Sequence, residues 1–277
     1  PVPFAGAYVM APLAINLGGN EGQKNQWLPK IAGGECVIGV GLSEYVGARE
    51  DAGIEFSNGK LSGRSLFLID GKNADGFLLA NKSGELYLVD ASSKGIEVTE
   101  LTTVDKTRTS IELILKDVDA ELLTGSSDKS VIEKVLDAGR LMLSADTVGA
   151  AQVMLDKSVA YSLERKQFGR LIGSFQAVKH MCAEMASDLE PCYALVWHAA
   201  HCFDNIPNES KLMACHAKSH VSEVSKAISK KATEVHGGMG FSDLMGIHYW
   251  FKRIGVNRQN LGSPETIREE AAKIQNL

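Results

Sequence analysis

The residues with chemistry to offer gather in the second half of the chain. Arg165 presents a planar fork of donors suited to a phosphate or pyrophosphate, and Phe168, three positions on, supplies an apolar face for a flat ring such as adenine. Gln176 can both donate and accept. In His236-Gly237-Gly238, two glycines let the backbone approach a ligand closely because no Cβ intervenes. Each has a plainer reading: an arginine after a helix is commonly a solvated charge, and Gly-Gly a simple turn. Asp137 and Arg140, three apart, share a helix face and suit an ion pair. Glu265 follows Pro264 where a helix pattern begins, and the helix dipole alone favours a glutamate there. His216 and His220, at i and i+4, have the spacing of zinc ligands, but no third ligand is evident nearby, so no metal is expected.

These residues need elements to hold them. From Lys129 onward the apolar period is helical: Val131, Val135, Ala138, Leu141, Met142, Ala145, Val148, Ala151 and Leu155 fit one long helix. Similar patterns cover 173–203, 208–236, 243–255 and 264–275, with Asn205-Ile206-Pro207-Asn208 as a loop, since proline breaks a continuing helix. Before that, short β-rich runs alternate with turn signals: Val37–Val40, Lys60–Gly63, Gly76–Leu79, Glu85–Val89 and Ile111–Leu115, with Asn58-Gly59 and Asp70-Gly71 between. The expected architecture is α+β: an antiparallel β-barrel or sandwich followed by an antiparallel helical bundle. The expected divisions are 1–27, the end of a preceding helical region; 28–125, the β-domain; and 126–277, the bundle.

Composition excludes several classes. The chain is 44% hydrophobic and 23% charged with a net charge of -5, which suits a globular protein and gives no reason to expect nucleic acid as a partner. At 6% aromatic it is a poor base-stacking platform. No apolar run approaches the roughly 20 residues that span a bilayer. The cysteines, Cys36, Cys182, Cys192, Cys202 and Cys215, form no CxxC pair, and their odd number without a secretory leader points to a reducing, cytoplasmic setting. The chain opens at Pro1 rather than Met, so it reads as lacking its original N-terminus.

Several segments in order resemble the acyl-CoA dehydrogenase family. They are Gly18-Gly19-Asn20-Glu21-Gly22-Gln23-Lys24 with Leu28-Pro29 and Gly33-Gly34-Glu35, then Arg165-Lys166-Gln167-Phe168-Gly169 with Phe175-Gln176, then His236-Gly237-Gly238-Met239-Gly240-Phe241. The resemblance covers nearly the whole chain and implies that most of the family's N-terminal helical domain is absent. It implies FAD as cofactor, with Arg165, Phe168, Ile172, Phe175, Gln176, Glu234, Gly237 and Gly238 reaching a flavin dinucleotide held mainly by a neighbouring subunit. It also places Asp137 and Arg140 near an acyl-CoA substrate.

The departures from the family's pattern are as informative. Dehydrogenation needs a carboxylate of raised pKa within reach of Cα of the acyl thioester. The two family positions for it correspond here to Gly139 and Gly262, and Glu265 is the nearest substitute. The loop that in the family contacts the flavin reads Ser43-Glu44-Tyr45-Val46-Gly47-Ala48-Arg49-Glu50, with Arg49 replacing a small residue. Phe67-Leu68-Ile69-Asp70 stands where a Trp and a Thr are common, and Glu234 where a glutamine often contacts the dinucleotide. The pattern resembles the base-lacking subunit of heteromeric acyl-CoA dehydrogenases that act on steroid side chains. That implies a catalytic partner subunit in an α2β2 assembly and a role in lipid or steroid degradation. Two other readings remain: non-oxidising chemistry on an acyl-CoA, or a pseudoenzyme scaffold.

Overall fold

The computed structural model describes residues 2–47, 49–50 and 52–277. It divides into two compact units, Pro1–Gly139 and Arg140–Leu277.

The first unit opens with a turn of π-helix, Ala5–Met10, continued by α1 (Ala11–Gly18) and α2 (Glu21–Ala32). The glycine-rich opening motif is the start of α2. Asn20 is its N-cap, accepting from the Gln23 amide at 2.9 Å while the Gln23 side chain accepts from the Asn20 amide at 3.0 Å. The helix continues past 27 to Ala32, with Pro29 inside it.

Among the described residues, eight strands then form one sheet: β1 (Ile38–Gly41), β2 (Gly53–Ser57), β3 (Lys60–Ile69), β4 (Gly76–Ala80), β5 (Leu86–Asp90), β6 (Ile96–Leu101), β7 (Ser110–Asp119) and β8 (Glu121–Leu122). The order is β6-β7-β3-β1-β4-β5-β8, with β2 also on β3. The barrel expectation is corrected here. The terminal strands β6 and β8 do not pair, so the sheet stays open, and β1 runs parallel to β4. Alternating apolar residues specify a strand's buried face but not closure, which depends on register and tilt summed over every strand. Lys60–Gly63 is only the start of a ten-residue strand that carries register shifts between Leu61 and Gly63 and between Ser65 and Leu68. Phe67 sits in the second with φ 55, and Gly63 in the first with φ 128. A Cβ on Gly63 would lie 2.2 Å from the Gly53 carbonyl oxygen, so only glycine fits. The sheet core comprises Leu61, Leu68, Phe77, Leu79, Tyr87, Ile111 and Leu113 with their neighbours.

The helix α3 (Lys129–Glu164) begins in the first unit and ends in the second. It is followed by a small hairpin, β9 (Lys166–Gln167) and β10 (Arg170–Leu171), then α4 (Gln176–Asn205), α5 (Pro207–His236), α6 (Ile247–Gln259) and α7 (Pro264–Ile274). The interhelix loop shrinks to Ile206, because Pro207 takes the first position of α5, where its missing N–H is not needed. A core of Met154, Leu155, Met185, Leu189, Val221, Ile228 and Ile254 joins α3, α4, α5 and α6. No helix among the described residues is long and apolar enough to cross a membrane.

Candidate functional site

Tyr161 near the end of α3 stacks on His236, the last residue of α5, with ring centroids 4.6 Å apart and planes at 19°. This contact sets the two helix ends side by side, so the segments leaving them are neighbours. His236 is buried; its Nδ1–H donates to the Ala232 carbonyl at 2.8 Å, and burial pushes its pKa below the ordinary imidazole value. It is a packing residue for the glycines that follow.

Beyond α3, the Arg165 amide closes the helix on the Tyr161 carbonyl at 2.9 Å, and the Ile172 amide returns to the Arg165 carbonyl at 2.8 Å. Between them the β9–β10 hairpin turns through Phe168 (φ 54) and Gly169 (φ 75). Two successive positive φ values match the twist of a tight hairpin and suit Asn-Gly or Gly-Gly. Phenylalanine there is strained, and its ring is 93% exposed. The hairpin rests on Phe175, whose ring meets that of Phe168 edge-on at 6.1 Å and the Arg170 guanidinium at 3.9 Å. Arg165, Gln176 and Glu234 are exposed and Ile172 half-buried. After α5, Gly237 (φ 59) and Gly238 are exposed, with nothing within 4 Å of where either Cβ would be.

An exposed guanidinium, an uncovered aromatic ring and open glycine backbone fit a ligand with a pyrophosphate and a flat ring, presented from outside the chain. The loop after β1 is different. Glu44 is buried and accepts from the Ser43 and Ser65 hydroxyls and the Leu66 amide, each at 3.2 Å. The one Ser43 hydroxyl proton is shared between Glu44 and the closer Leu66 carbonyl, at 2.5 Å. Burial raises the Glu44 carboxyl above its ordinary value, with these hydrogen bonds pulling the other way. The Ser43 hydroxyl and the Glu44 carboxyl are therefore engaged within the chain, tying this loop to β3. Ala48 lies outside the described residues. Asp70, just after β3, gathers the amides of Phe4, Gly6 and Ala7 at 2.8–3.3 Å.

Gly139 is buried on α3, as is Asp137. Arg140, 2% exposed, directs its guanidinium inward: Nε donates to the Leu261 carbonyl at 3.1 Å, Nη2 to Glu270 at 2.8 Å and Nη1 to Cys215 Sγ at 3.6 Å. That fork serves the turn between α6 and α7. The same turn contains Leu261 (φ 59) and Gly262 (φ 110). A Cβ on Gly262 would lie 3.1 Å from Ile267 Cγ1 and 3.5 Å from Arg140 Nη2. Lys218, 1% exposed on α5, donates from Nζ to the carbonyls of Arg258 at 3.1 Å and Gly262 at 3.3 Å. Burial, then the Arg140 and Arg258 charges, push its pKa down to about 7. Sequence reasoning missed Lys218 although it was legible, since it falls among Ala214, Ala217 and Val221 on the buried stripe of α5.

Glu265 is 60% exposed at its side chain and ion-paired to Arg258 at 2.5 Å. Hydrogen bonds at the helix start and from Ser263, then Arg258, bring its pKa down to about 2, the opposite of what proton abstraction needs. His216 and His220 line an open cleft of about 580 Å³ together with Arg268 and Leu277.

Comparison with known proteins identifies the family and the fold. Residues 129–275 match the family model of the acyl-CoA dehydrogenase C-terminal domain. The chain is 32% identical over 264 residues to the caffeyl-CoA reductase–Etf complex subunit CarC of Acetobacterium woodii, covering 86% of this chain and 69% of that protein. It spans about two thirds of the length of the curated relatives it matches. The Tcur3481-Tcur3483 steroid ACAD, solved as a variant, superposes with TM-score 0.87 at 25% identity over all of this chain and 76% of that one. A Mycobacterium smegmatis glutaryl-CoA dehydrogenase in complex with FADH2 shares the fold, with TM-score 0.86 at 20% identity over 99% of this chain and 73% of that one. The chain belongs to the acyl-CoA dehydrogenase family, whose members bind FAD.

Proposed function

We propose that this chain is the cofactor-completing subunit of a heteromeric acyl-CoA dehydrogenase, with the proton-abstracting carboxylate supplied by a different polypeptide. One observation carries the reading. Both positions that the family resemblance implies for the base are glycine, and the substitute closest to Gly262 in sequence, Glu265, is exposed and tied to Arg258 with a pKa of about 2. The engagement of Ser43 with Glu44 and Leu66 supports it, because that hydroxyl is taken up within the chain. The exposed hairpin and open glycines are oriented for a flavin dinucleotide seated against another chain.

FAD, when bound, would supply the hydride acceptor for Cβ of the acyl thioester, and removal of the Cα proton would fall to a base on the partner. The residues of this chain bind and shield. Arg165 pairs with a phosphate oxygen, the Gly237 and Gly238 backbone allows the pyrophosphate close approach, and Phe168 covers a ring face from water. The partner is a catalytic acyl-CoA dehydrogenase subunit in an α2β2 assembly, and the substrate an acyl-CoA with a steroid side chain. Two relatives support a multisubunit reading: the printed name of CarC is that of a complex subunit, and the steroid ACAD carries a paired name.

The test is to produce the chain alone and with its catalytic partner, then measure flavin absorbance per chain after gel filtration. The expected result is flavin in the mixed complex only, at about one per pair of chains. One flavin per chain in the isolated protein, with oxidation of an acyl-CoA, would overturn the proposal.

A further inference from the structure

At the corner between α4 and α5, far in sequence from the hairpin and the glycines, three side chains with metal-binding atoms converge. His198 and Cys202 are four residues apart on one face of α4, and Pro207 starts α5 so abruptly that Glu209 comes back over them. His198 Nε2 lies 3.6 Å from Cys202 Sγ, and Glu209 Oε2 lies 4.0 Å from the same sulfur. All three donor atoms fall within 4.8 Å of one another. Cys202 is buried, while His198 and Glu209 are exposed and leave an open approach from solvent.

The sulfur–nitrogen separation is that of a coordination shell. An ion about 2.3 Å from sulfur and about 2.0–2.1 Å from nitrogen in tetrahedral geometry spaces the two by roughly 3.6 Å. The sulfur–oxygen edge of the same tetrahedron is also roughly 3.6 Å, a few tenths shorter than observed, within the play of an exposed glutamate side chain. A thiolate, an imidazole and a carboxylate form the mixed soft and borderline set that selects zinc over magnesium or calcium. His201 belongs to a separate contact, with its ring turned to Asn205. His216 and His220 lie in a cleft with Arg268, whose charge repels a cation.

We propose that His198, Cys202 and Glu209 form a zinc site, with water as the fourth ligand, that clamps the α4–α5 corner. On binding, the Cys202 thiol releases its proton to solvent and three protein bonds to the ion replace the weak thiol contacts. The site is independent of the flavin residues and of the subunit reading.

The test uses the full chain, reduced and freed of metal by chelation. Cobalt(II) stands in for zinc because its spectrum reports ligand type and geometry. The expected result is a thiolate-to-cobalt charge-transfer band in the near ultraviolet with visible bands of tetrahedral intensity, saturating at one ion per chain and bleached by zinc. Cys202→Ser abolishes the charge-transfer band, and Glu209→Gln, an exposed change that leaves folding intact, weakens binding by at least about tenfold. His216→Ala with His220→Ala leaves the spectrum unchanged. A weak octahedral spectrum without the charge-transfer band overturns the proposal, and so does cobalt affinity in Glu209→Gln equal to that of the unaltered chain.

Discussion

Lys218 Nζ lies 3.3 Å from the carbonyl oxygen of Gly262, so a buried lysine holds the turn between α6 and α7. Its second acceptor, the Arg258 carbonyl, is at the end of α6, where the orphan carbonyls of a helix attract cations. The turn is thus fixed from below by Lys218 and from the side by Arg140 through the Leu261 carbonyl. Positive charge, not a dry acidic pocket, surrounds residue 262.

That arrangement gives a pH dependence of stability with a definite sign. The ordinary lysine value is 10.5, and in the folded chain Lys218 is pushed down to about 7. Below pH 7 both folded and unfolded states carry the proton, and the penalty of burying the charge is present in full. Between about 7 and 10.5 the unfolded chain binds more protons, so this group's contribution to stability rises with pH, by at most about 1.4 kcal/mol per unit. Lys218→Met removes that rise. Urea unfolding at about pH 6 and about pH 9 is expected to give a smaller gain in stability between the two for the variant than for the unaltered chain. Arg140, Arg258, Glu223 and Glu270 surround the group in both proteins, so the difference belongs to Lys218.

Glu265→Gln tests the substitute base. A carboxyl with a pKa of about 2 is a weak base at neutral pH, and its partner Arg258 also holds Glu223 at 2.6 Å. Turnover of the assembled complex is expected to stay within about twofold, with an unchanged pH profile. A loss of about 10²-fold or more would return Glu265 to the mechanism. For stability the sign is that of a depressed carboxyl: its contribution is present above the ordinary value of 4.5 and fades as pH falls towards about 2.

Phe168→Gly separates fold from function. The residue has φ 54 and an exposed ring, so glycine relieves backbone strain of about 1–3 kcal/mol while losing little packing. Set against the greater unfolded-state freedom of glycine, about 0.5–1 kcal/mol, the isolated chain is expected to be as stable or slightly more so. Flavin retention by the mixed complex should fall at the same time, read as absorbance lost on repeated gel filtration. Unchanged retention would leave the strained ring without a role in cofactor binding.

How much of this was legible beforehand follows from what sequence periodicity encodes. The bundle was readable because α3, α4 and α5 each bury a stripe over many turns, as with Val135, Leu141 and Val148 on α3. β6 is not legible because its residues are largely outward-facing: Glu97, Val98, Thr99 and Glu100 are all exposed, which erases the alternation that marks a strand. The parallel pairing of β1 with β4 depends on chain path, which no local pattern records. At the candidate site, Arg165, Phe168 and Gly237 are singled out by residue type together with the resemblance to the family, and the structure leaves all three exposed. The inward aim of Arg140 was not legible, because its partners Leu261 and Glu270 lie more than a hundred positions away.

Gly262→Glu asks whether a base can be supplied at one of the two positions that the family resemblance implies for it. The backbone argues against it: Gly262 adopts φ 110, a region that side-chain-bearing residues rarely enter, and the new Cβ would press within 3.1 Å of Ile267, which is fully buried. The Arg140 guanidinium at 3.5 Å would attract the new carboxylate and hold its pKa low rather than raise it. The variant is therefore expected to lose about 1–3 kcal/mol in urea unfolding and to gain no oxidation of acyl-CoA, alone or with the partner's base removed. Recovery of activity with a pH profile showing a base near neutrality would mean that the turn rearranges readily. In that case Lys218 and Arg140 would be supports that a single side chain can displace, and the missing carboxylate would be the sole barrier to autonomous catalysis.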